Sequence, residues 1–511
     1  DFSGEGPGPP GKAAARASGH ACLLEFVPPT SCRQAPAGPD CDAETVMQKR
    51  TRWIGIVLAL VIAGLPMSLL IFVLDDDPYA AADKGESYRA SIYKRYQGVV
   101  YAAVPSNGYY PIDEADPASF QQFDTPVYDG RQAAKDARHV YCGNRILPGM
   151  SPASTQYLGN SYFSDGSMTY YCSLFSVVNP DLSPVEEVWQ TILFGLGRGA
   201  KPQNYLYPFA ALPASAQPYR ALLDRDLATD GAKVFYRGSE VPQANPDTLR
   251  RLPASRDGRA LLSDDFFGDG RRVYFHESLL PLSDDPGLRA FKVGDLDREP
   301  YLYDPRDGMV YVGTHAFDAA HAPYRLLSED GQHVNQALFA GRDGIYFYNG
   351  QKRRMERAGD DPFASGGFTA LSPFVFWDGK QVLFLKGAES WSSSRGGGGL
   401  ISRSTLIKRL KDAPGGEWKK LGDVYHQFGS VWQNGDQRYY LDQTGSSQLV
   451  FSPIYRIMDR ETADFLLRSQ QTFDIRMDDI RKLIRGGKLV APASDEVLEA
   501  KVRYRGFLSW F

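Results

Sequence analysis

Cysteine is thin in this chain: five residues in 511, three of which (Cys22, Cys32 and Cys41) fall within the first 41. Spacings of 10 and 9, with only His20 close by, do not suit a zinc module, so these thiols read as incidental. Histidine is equally sparse, and none of the seven stands in a His-Glu-x-x-His frame. His315 and His321, with Asp318 between them, read as loop residues and not as metal ligands. Asp295, Asp297, Asp304 and Asp307 lack the loop frame and closing glutamate of an EF-hand, and aspartate in turns usually serves turn geometry. There is no Gly-x-Ser-x-Gly elbow to support a serine hydrolase. The glycines at 396–399, after the serine-rich residues 392–395, lack the strand, lysine and helix start of a phosphate-binding loop; they read as a surface loop. Neither sign of charge dominates. Lys and Arg number 57 against 61 Asp and Glu, the net charge is −4, and no basic face is evident, so nucleic acid is not an expected partner. These absences leave no catalytic residue, no cofactor and no metal site to assign.

What the chain does have is a phrase that returns. Val375-Phe376-Trp377-Asp378-Gly379-Lys380-Gln381-Val382-Leu383-Phe384 is an apolar run, an Asp-Gly pair and a second apolar run. Asp-Gly tolerates the positive φ of a tight hairpin, so the phrase predicts strand, turn, strand. The same pair recurs as Asp165-Gly166, Asp230-Gly231, Asp269-Gly270, Asp307-Gly308 and Asp343-Gly344, and as Asn434-Gly435, each ahead of an aromatic run. Asp136 opens a variant without the glycine, and Gly98-Val99-Val100-Tyr101 reads as a degenerate first copy. From Asp230 to Asp378 the steps are 39, 38, 36 and 35 residues, a period that marks a repeat architecture. A second punctuation, at Gly143, Gly238, Gly313, Gly350 and Gly387, gives each unit at least three short strands with room for a fourth. Runs such as Tyr346-Phe347-Tyr348 are apolar at consecutive positions, as a strand buried on both faces requires. The expected fold is mainly β, a β-propeller of about 7–8 blades; an open stack of β units is the rival that the same period permits.

The phrase Asp-x-x-x-Val-aromatic-aromatic-x-Gly, whole at Asp230 to Gly238, resembles the DKNYY family of bacterial repeat proteins. Asn245-Pro246-Asp247-Thr248-Leu249, and its counterpart Asp116-Pro117-Ala118-Ser119-Phe120, resemble that family's linker. The resemblance covers about residues 96–442. It implies an envelope-associated protein and brings no catalytic residues with it.

The ends speak differently. Residues 1–46 are rich in Gly, Pro, Ala and Ser and precede the first methionine, Met47. They are expected to be a disordered cytoplasmic tail or the product of a start site placed too early. A basic flank at 47–52 leads into residues 53–74, an uncharged run of 22 residues, long enough to cross roughly 30 Å of hydrocarbon. Lys49, Arg50 and Arg52 precede it and Asp75, Asp76 and Asp77 follow it, which places the N-terminus in the cytoplasm and the bulk of the chain in the periplasm, anchored in the bacterial inner membrane. A cleaved signal peptide, with Ala80-Ala81-Ala82 as its site, is the alternative to this signal-anchor. A linker at 75–95 enters the repeats at 96–452, and 453–511 are expected to be a helical appendix. There Thr462–Gln470 and Asp474–Arg485 carry apolar residues at helical spacing, and Gly486-Gly487 is the stop.

Cys142 and Cys172 end equivalent aromatic runs, Tyr141-Cys142 and Tyr171-Cys172, and are a candidate disulfide in an oxidising compartment; the rival reading is two small buried hydrophobes. Two functions fit this inventory. One is a non-catalytic, membrane-anchored scaffold that binds a protein or polymer partner in the envelope. The other is an envelope hydrolase acting on a glycan, with carboxylates brought together from distant blades.

Overall fold

The third strand of each repeat sets the architecture. In the computed structural model, Thr169–Cys172, Val234–Tyr236 and Gly344–Asn349 are buried at every position. A strand without an exposed face needs cover on both sides, and each of these lies inside an antiparallel meander of four strands. The structure describes residues 79–504 except 106, 126–129, 225, 257–258, 294–298, 329–332, 393–398, 412–414 and 446–451. The tail at 1–46, the flank at 47–52 and the expected membrane segment at 53–74 lie outside the described residues, as do Asp295, Asp297 and most of the 396–399 glycine run. Contacts divide the chain into Asp1–Val73 and Leu74–Phe511, and everything below concerns the second unit. Among the described residues no helix is long and apolar enough to cross a membrane.

Nine meanders follow one another in these residues. The first, second, fourth and seventh run through residues 86–111, 121–146, 220–241 and 325–359. The third takes strands Gln156–Gly159, Tyr162–Ser164 and Thr169–Cys172, then receives its fourth, Phe209–Ala211, after an insertion. The fifth (250–283) and sixth (289–316) are fused into one eight-stranded sheet, because Arg250–Arg256 pairs in parallel with Arg289–Lys292. Seven or eight units were expected; the first meander turns on Gln97-Gly98, outside the Asp-Gly phrase, and so weighs little in a count of turns.

The eighth and ninth meanders each gain a fifth strand from the C-terminal part. Ser494–Arg503 pairs antiparallel with Leu400–Leu410, and Leu489–Val490 pairs with Ile454–Ile457. Ahead of both returning strands, Arg460–Thr472 and Met477–Arg485 are helical, and Asp459 caps the first by accepting the Thr462 N–H at 2.8 Å. Ala463, Leu466 and Ile480 pack on Val424, Val431 and Tyr455 of the ninth sheet. The C-terminal part is therefore two helices followed by two returning strands.

Adjacent meanders are joined by buried polar contacts as well as by apolar packing. Tyr93 Oη lies 2.7 Å from the Gln132 carbonyl and 2.9 Å from that of Gly143 in the next unit. Tyr162 repeats the device two meanders on, donating to the Asp226 carbonyl at 2.9 Å and accepting the Gly238 N–H at 3.2 Å. A buried phenol that lost these partners would cost about 1–3 kcal/mol, so each tyrosine fixes how one sheet meets the next.

Candidate functional site

The repeated acids hold turns. Asp165, Asp230, Asp269 and Asp378 each use one carboxylate oxygen to accept the backbone N–H groups two and three residues on, at 2.7–2.9 Å. The glycines beside them, Gly166, Gly231, Gly270 and Gly379, have φ between 85° and 92°, a conformation that only glycine takes freely. Three members of the set depart from this form. Asp307 and Gly308 sit in a four-residue turn between Asp304 and Met309. Asn434 is the last residue of its strand, ahead of Gly435 at φ 57°. Gly344 is already the first residue of a strand, which leaves the Asp343 carboxylate to the Tyr346 hydroxyl at 2.8 Å and to His321 at 2.9 Å. These residues are spread over seven sheet ends, and the structure does not gather them into one site.

Asp165 is the most fully used. Burial alone would raise its pKa, but the N–H groups of Met168, Ser151 and Ser167 and the Ser167 hydroxyl bring it down to about 2. A carboxyl lowered on folding stabilises the fold above its unfolded value, near 3.8, and that contribution is lost as pH falls through about 2. Asp165→Asn should therefore unfold at lower urea than wild type at pH 6, and the gap should close as the pH is taken from 4 to 2. A gap that stays constant down to pH 2 would refute the assignment.

Beside this turn lies a cleft of about 360 Å³ between the third and fourth meanders. Gln156, Ser164 and Thr169 line it from one sheet, and Ser215, Gln217 and Tyr219 from the segment that enters the next. Ser215 donates to the turn residue Asp230 at 3.0 Å, and Thr169 to the Ser164 hydroxyl at 2.8 Å. A hydroxyl that donates inward keeps acceptor lone pairs for a ligand. The Tyr219 ring stands edge-on to Phe235, 5.5 Å between centroids, with its hydroxyl on the Pro213 carbonyl. The cleft offers hydroxyls, amides and the Asp165 carboxylate around one aromatic wall.

A second, charged recess forms where the fifth and sixth meanders fuse. Asp265 faces Lys292 Nζ at 2.6 Å and His276 Nε2 at 3.1 Å. Burial would raise the Asp265 pKa, but the His276 and Lys292 side chains hold it below the ordinary carboxylate value. The His276 ring stacks on Tyr236 at 4.7 Å. A cavity of about 130 Å³, lined by Asp264, Asp265, Lys292 and Tyr301, opens beside them. One meander earlier, Asp226 and Arg237 hold the corresponding positions, 2.8 Å apart. None of these charged residues stands out in the sequence. Asp265 and Lys292 meet only because two sheets pair in parallel. The one sequence signal is the basic residue after each aromatic run, in Tyr236-Arg237 and Phe275-His276.

The tyrosine contacts, the turns at Asp165, Asp230 and Asp269, and the cleft fall within one stretch of chain, and that stretch is recognisable. Residues 93–278 match the DKNYY family. The DKNYY domain thus runs from Tyr93, the first of the inter-sheet tyrosines, to the start of the fifth meander's last strand. The later meanders share its plan but lie outside the matched span, although the phrase itself continues to residue 442. No curated protein and no solved structure matches the chain.

Within the DKNYY domain Cys142 and Cys172 form a disulfide, with Cα atoms 5.8 Å apart, between the third strands of the second and third meanders. His321 is taken by Asp343, and Asp318 caps a short turn by accepting the Ala320 N–H. Among the described residues no three His, Cys, Asp or Glu side chains are grouped to hold a metal ion.

Proposed function

We propose that this protein is a non-catalytic scaffold of the bacterial envelope, anchored in the inner membrane, that holds a neutral polymer of the glycan type in the cleft between the third and fourth meanders. The observation that carries the reading is the lining: hydroxyls, amides and one tyrosine ring, with the Asp165 carboxylate already accepting four hydrogen bonds from its own turn and from Ser151. Sugars present hydroxyls that donate and accept, and such a wall answers both. The meanders are read as the blades of a propeller-like array, since the buried third strands of the second, third and fourth share apolar clusters with the unit that follows. The basic flank before residue 53 and the acids after residue 74 support the inner-membrane anchor and a periplasmic location, and the disulfide suits an oxidising compartment.

The rival is a glycan hydrolase. Such an enzyme needs one carboxyl kept protonated by a raised pKa. Among the described carboxyls with a displaced pKa, Asp165, Asp230 and Asp265 around the two recesses are all displaced downward, which favours binding over hydrolysis.

The test is cosedimentation of the full-length, detergent-solubilised protein with purified peptidoglycan sacculi. Wild type should pellet with them. Gln217→Ala with Tyr219→Ala should weaken retention about tenfold, equivalent to about 1.4 kcal/mol. Wild type remaining in the supernatant, or a double variant retained as well as wild type, overturns the proposal. Release of new reducing ends from the sacculi would favour the hydrolase.

A further inference from the structure

The insertion in the third meander carries apolar surface that it does not bury. After Cys172 the chain forms a two-stranded ribbon, Val177–Val178 with Tyr205–Leu206, and between those strands lies the helix Pro184–Gly195. Ser183 and Glu186 close a capping box at its start, so its own end residues define it. None of its residues is buried. Val185, Val188 and Trp189 are 79%, 54% and 61% exposed, and Phe175 and Val178 beside the helix are 63% and 65% exposed. Val185, Val188, Trp189, Ile192 and Leu196 recur at steps of three and four, which places them on one stripe. After Glu187 no charge appears until Arg198. A contiguous apolar stripe left open on a folded domain marks a surface that something covers.

The start of the described chain indicates what covers it. Phe194 packs its ring on Tyr79, 5.6 Å between centroids, and Tyr79 in turn packs on Tyr101 of the first meander. The insertion therefore sits against the first residue described. Only residues 75–78 separate Tyr79 from Leu74, the last residue of the uncharged run. Those steps span at most about 18 Å when fully extended. A bilayer crossed by residues 53–74 has its surface within that reach of Tyr79, on which the last turn of the helix packs through Phe194. The helix shares two features with interfacial segments, an apolar stripe and a tryptophan, and its charges are confined to Glu186 and Glu187 in the first turn.

We propose that the helix Pro184–Gly195, with Phe175 and Val178, lies in the membrane interface and seats the DKNYY domain on the lipid surface. The proposal rests on the anchor reading of residues 53–74, and the test separates the two. Full-length protein is placed in nanodiscs of phosphatidylcholine and phosphatidylglycerol doped with a phosphatidylcholine that carries a diazirine in its acyl chain. After irradiation, labelled peptides are mapped by mass spectrometry. Label is expected in both 53–74 and 184–196, and Val188→Glu with Trp189→Glu should lower it at least fivefold in 184–196 while leaving 53–74 unchanged. Both side chains are more than half exposed and belong to none of the buried apolar clusters, so the variant keeps the domain intact. Label in 53–74 alone overturns the docking and keeps the anchor. Label in neither removes the anchor and the docking together. Label in 184–196 alone keeps the docking and removes the span. Cross-links between two copies through 184–196, in place of lipid label, would assign the stripe to self-association and overturn the proposal.

Discussion

Asp442→Ala is expected to weaken the seventh and ninth meanders by about 3–5 kcal/mol, the cost of removing one partner from a buried charged or hydrogen-bonded pair. Asp442 is wholly buried at the end of Gln437–Asp442. Its Oδ2 faces His333 Nε2 at 2.9 Å across 109 residues of sequence. Its Oδ1 takes the Tyr440 hydroxyl at 2.7 Å, the Thr444 hydroxyl lies 2.9 Å from both oxygens, and the Gly445 N–H reaches Oδ2. Tyr440 retains a second acceptor in the Phe428 carbonyl, but the imidazole, the threonine and the amide would lose theirs in a site that water does not reach. His333 also ties in the eighth meander, since its carbonyl accepts the Gly387 N–H and its ring packs on Phe374. Hydrogen exchange read by mass spectrometry should show faster opening in residues 325–359 and 418–457, with the first four meanders unchanged, because repeat units couple mainly to neighbours. His333→Ala should cost less on its own, and the two changes together less than their sum. A loss under about 1 kcal/mol for Asp442→Ala, the range of ordinary substitutions, would show that the network carries no weight.

Much of this architecture could be read in the sequence, for reasons that lie in individual residues. Val234-Phe235-Tyr236 and Tyr346-Phe347-Tyr348 are apolar at every position, so burial on both faces followed before any contact was known. Asp165, Asp269 and Asp378 announced their turns because the geometry needs an acceptor at the first position and a positive φ at the second. The helices near the end were legible from the spacing of Ala463 and Leu466 and of Ile480 and Ile484, with Gly486 as the cap. What escaped were pairings between distant segments. Leu498, Ala500 and Val502 alternate inward on Ser494–Arg503, but nothing local says that its partner lies near residue 405. The recess at Asp265 was hidden for the same reason: its lysine arrives from another meander, through a parallel pairing that no turn residue encodes. Asp343-Gly344 looks like its siblings in sequence, yet the turn there is made one position earlier, at Arg342-Asp343, and the glycine joins the strand.

Removing the Cys142–Cys172 bond is the second large effect. The bond closes a loop with a sequence separation of 30, and on the chain-entropy model a loop of that size is worth about 3–4 kcal/mol. Both residues are fully buried, so alanine is the right replacement: serine would leave a buried hydroxyl in want of a partner. The bond does not work alone. Gln132 Nε2 donates to the Cys172 carbonyl at 2.7 Å, and Tyr93 holds the Gln132 carbonyl from the other side. The first three meanders are thus tied in series, and the double variant should keep their order while losing stability. In the exported protein, Cys142→Ala with Cys172→Ala should speed exchange in residues 86–172 and leave 289–359 unchanged. The same experiment addresses location. Wild type made without export, in a reducing cytosol, should match the double variant in exchange and take up thiol label at both cysteines under denaturing conditions. Exported wild type should take up none before reduction. Label at both cysteines in the exported protein would mean that the bond does not form there. Equal exchange in the exported wild type and the double variant would mean that it forms without stabilising the meanders it joins.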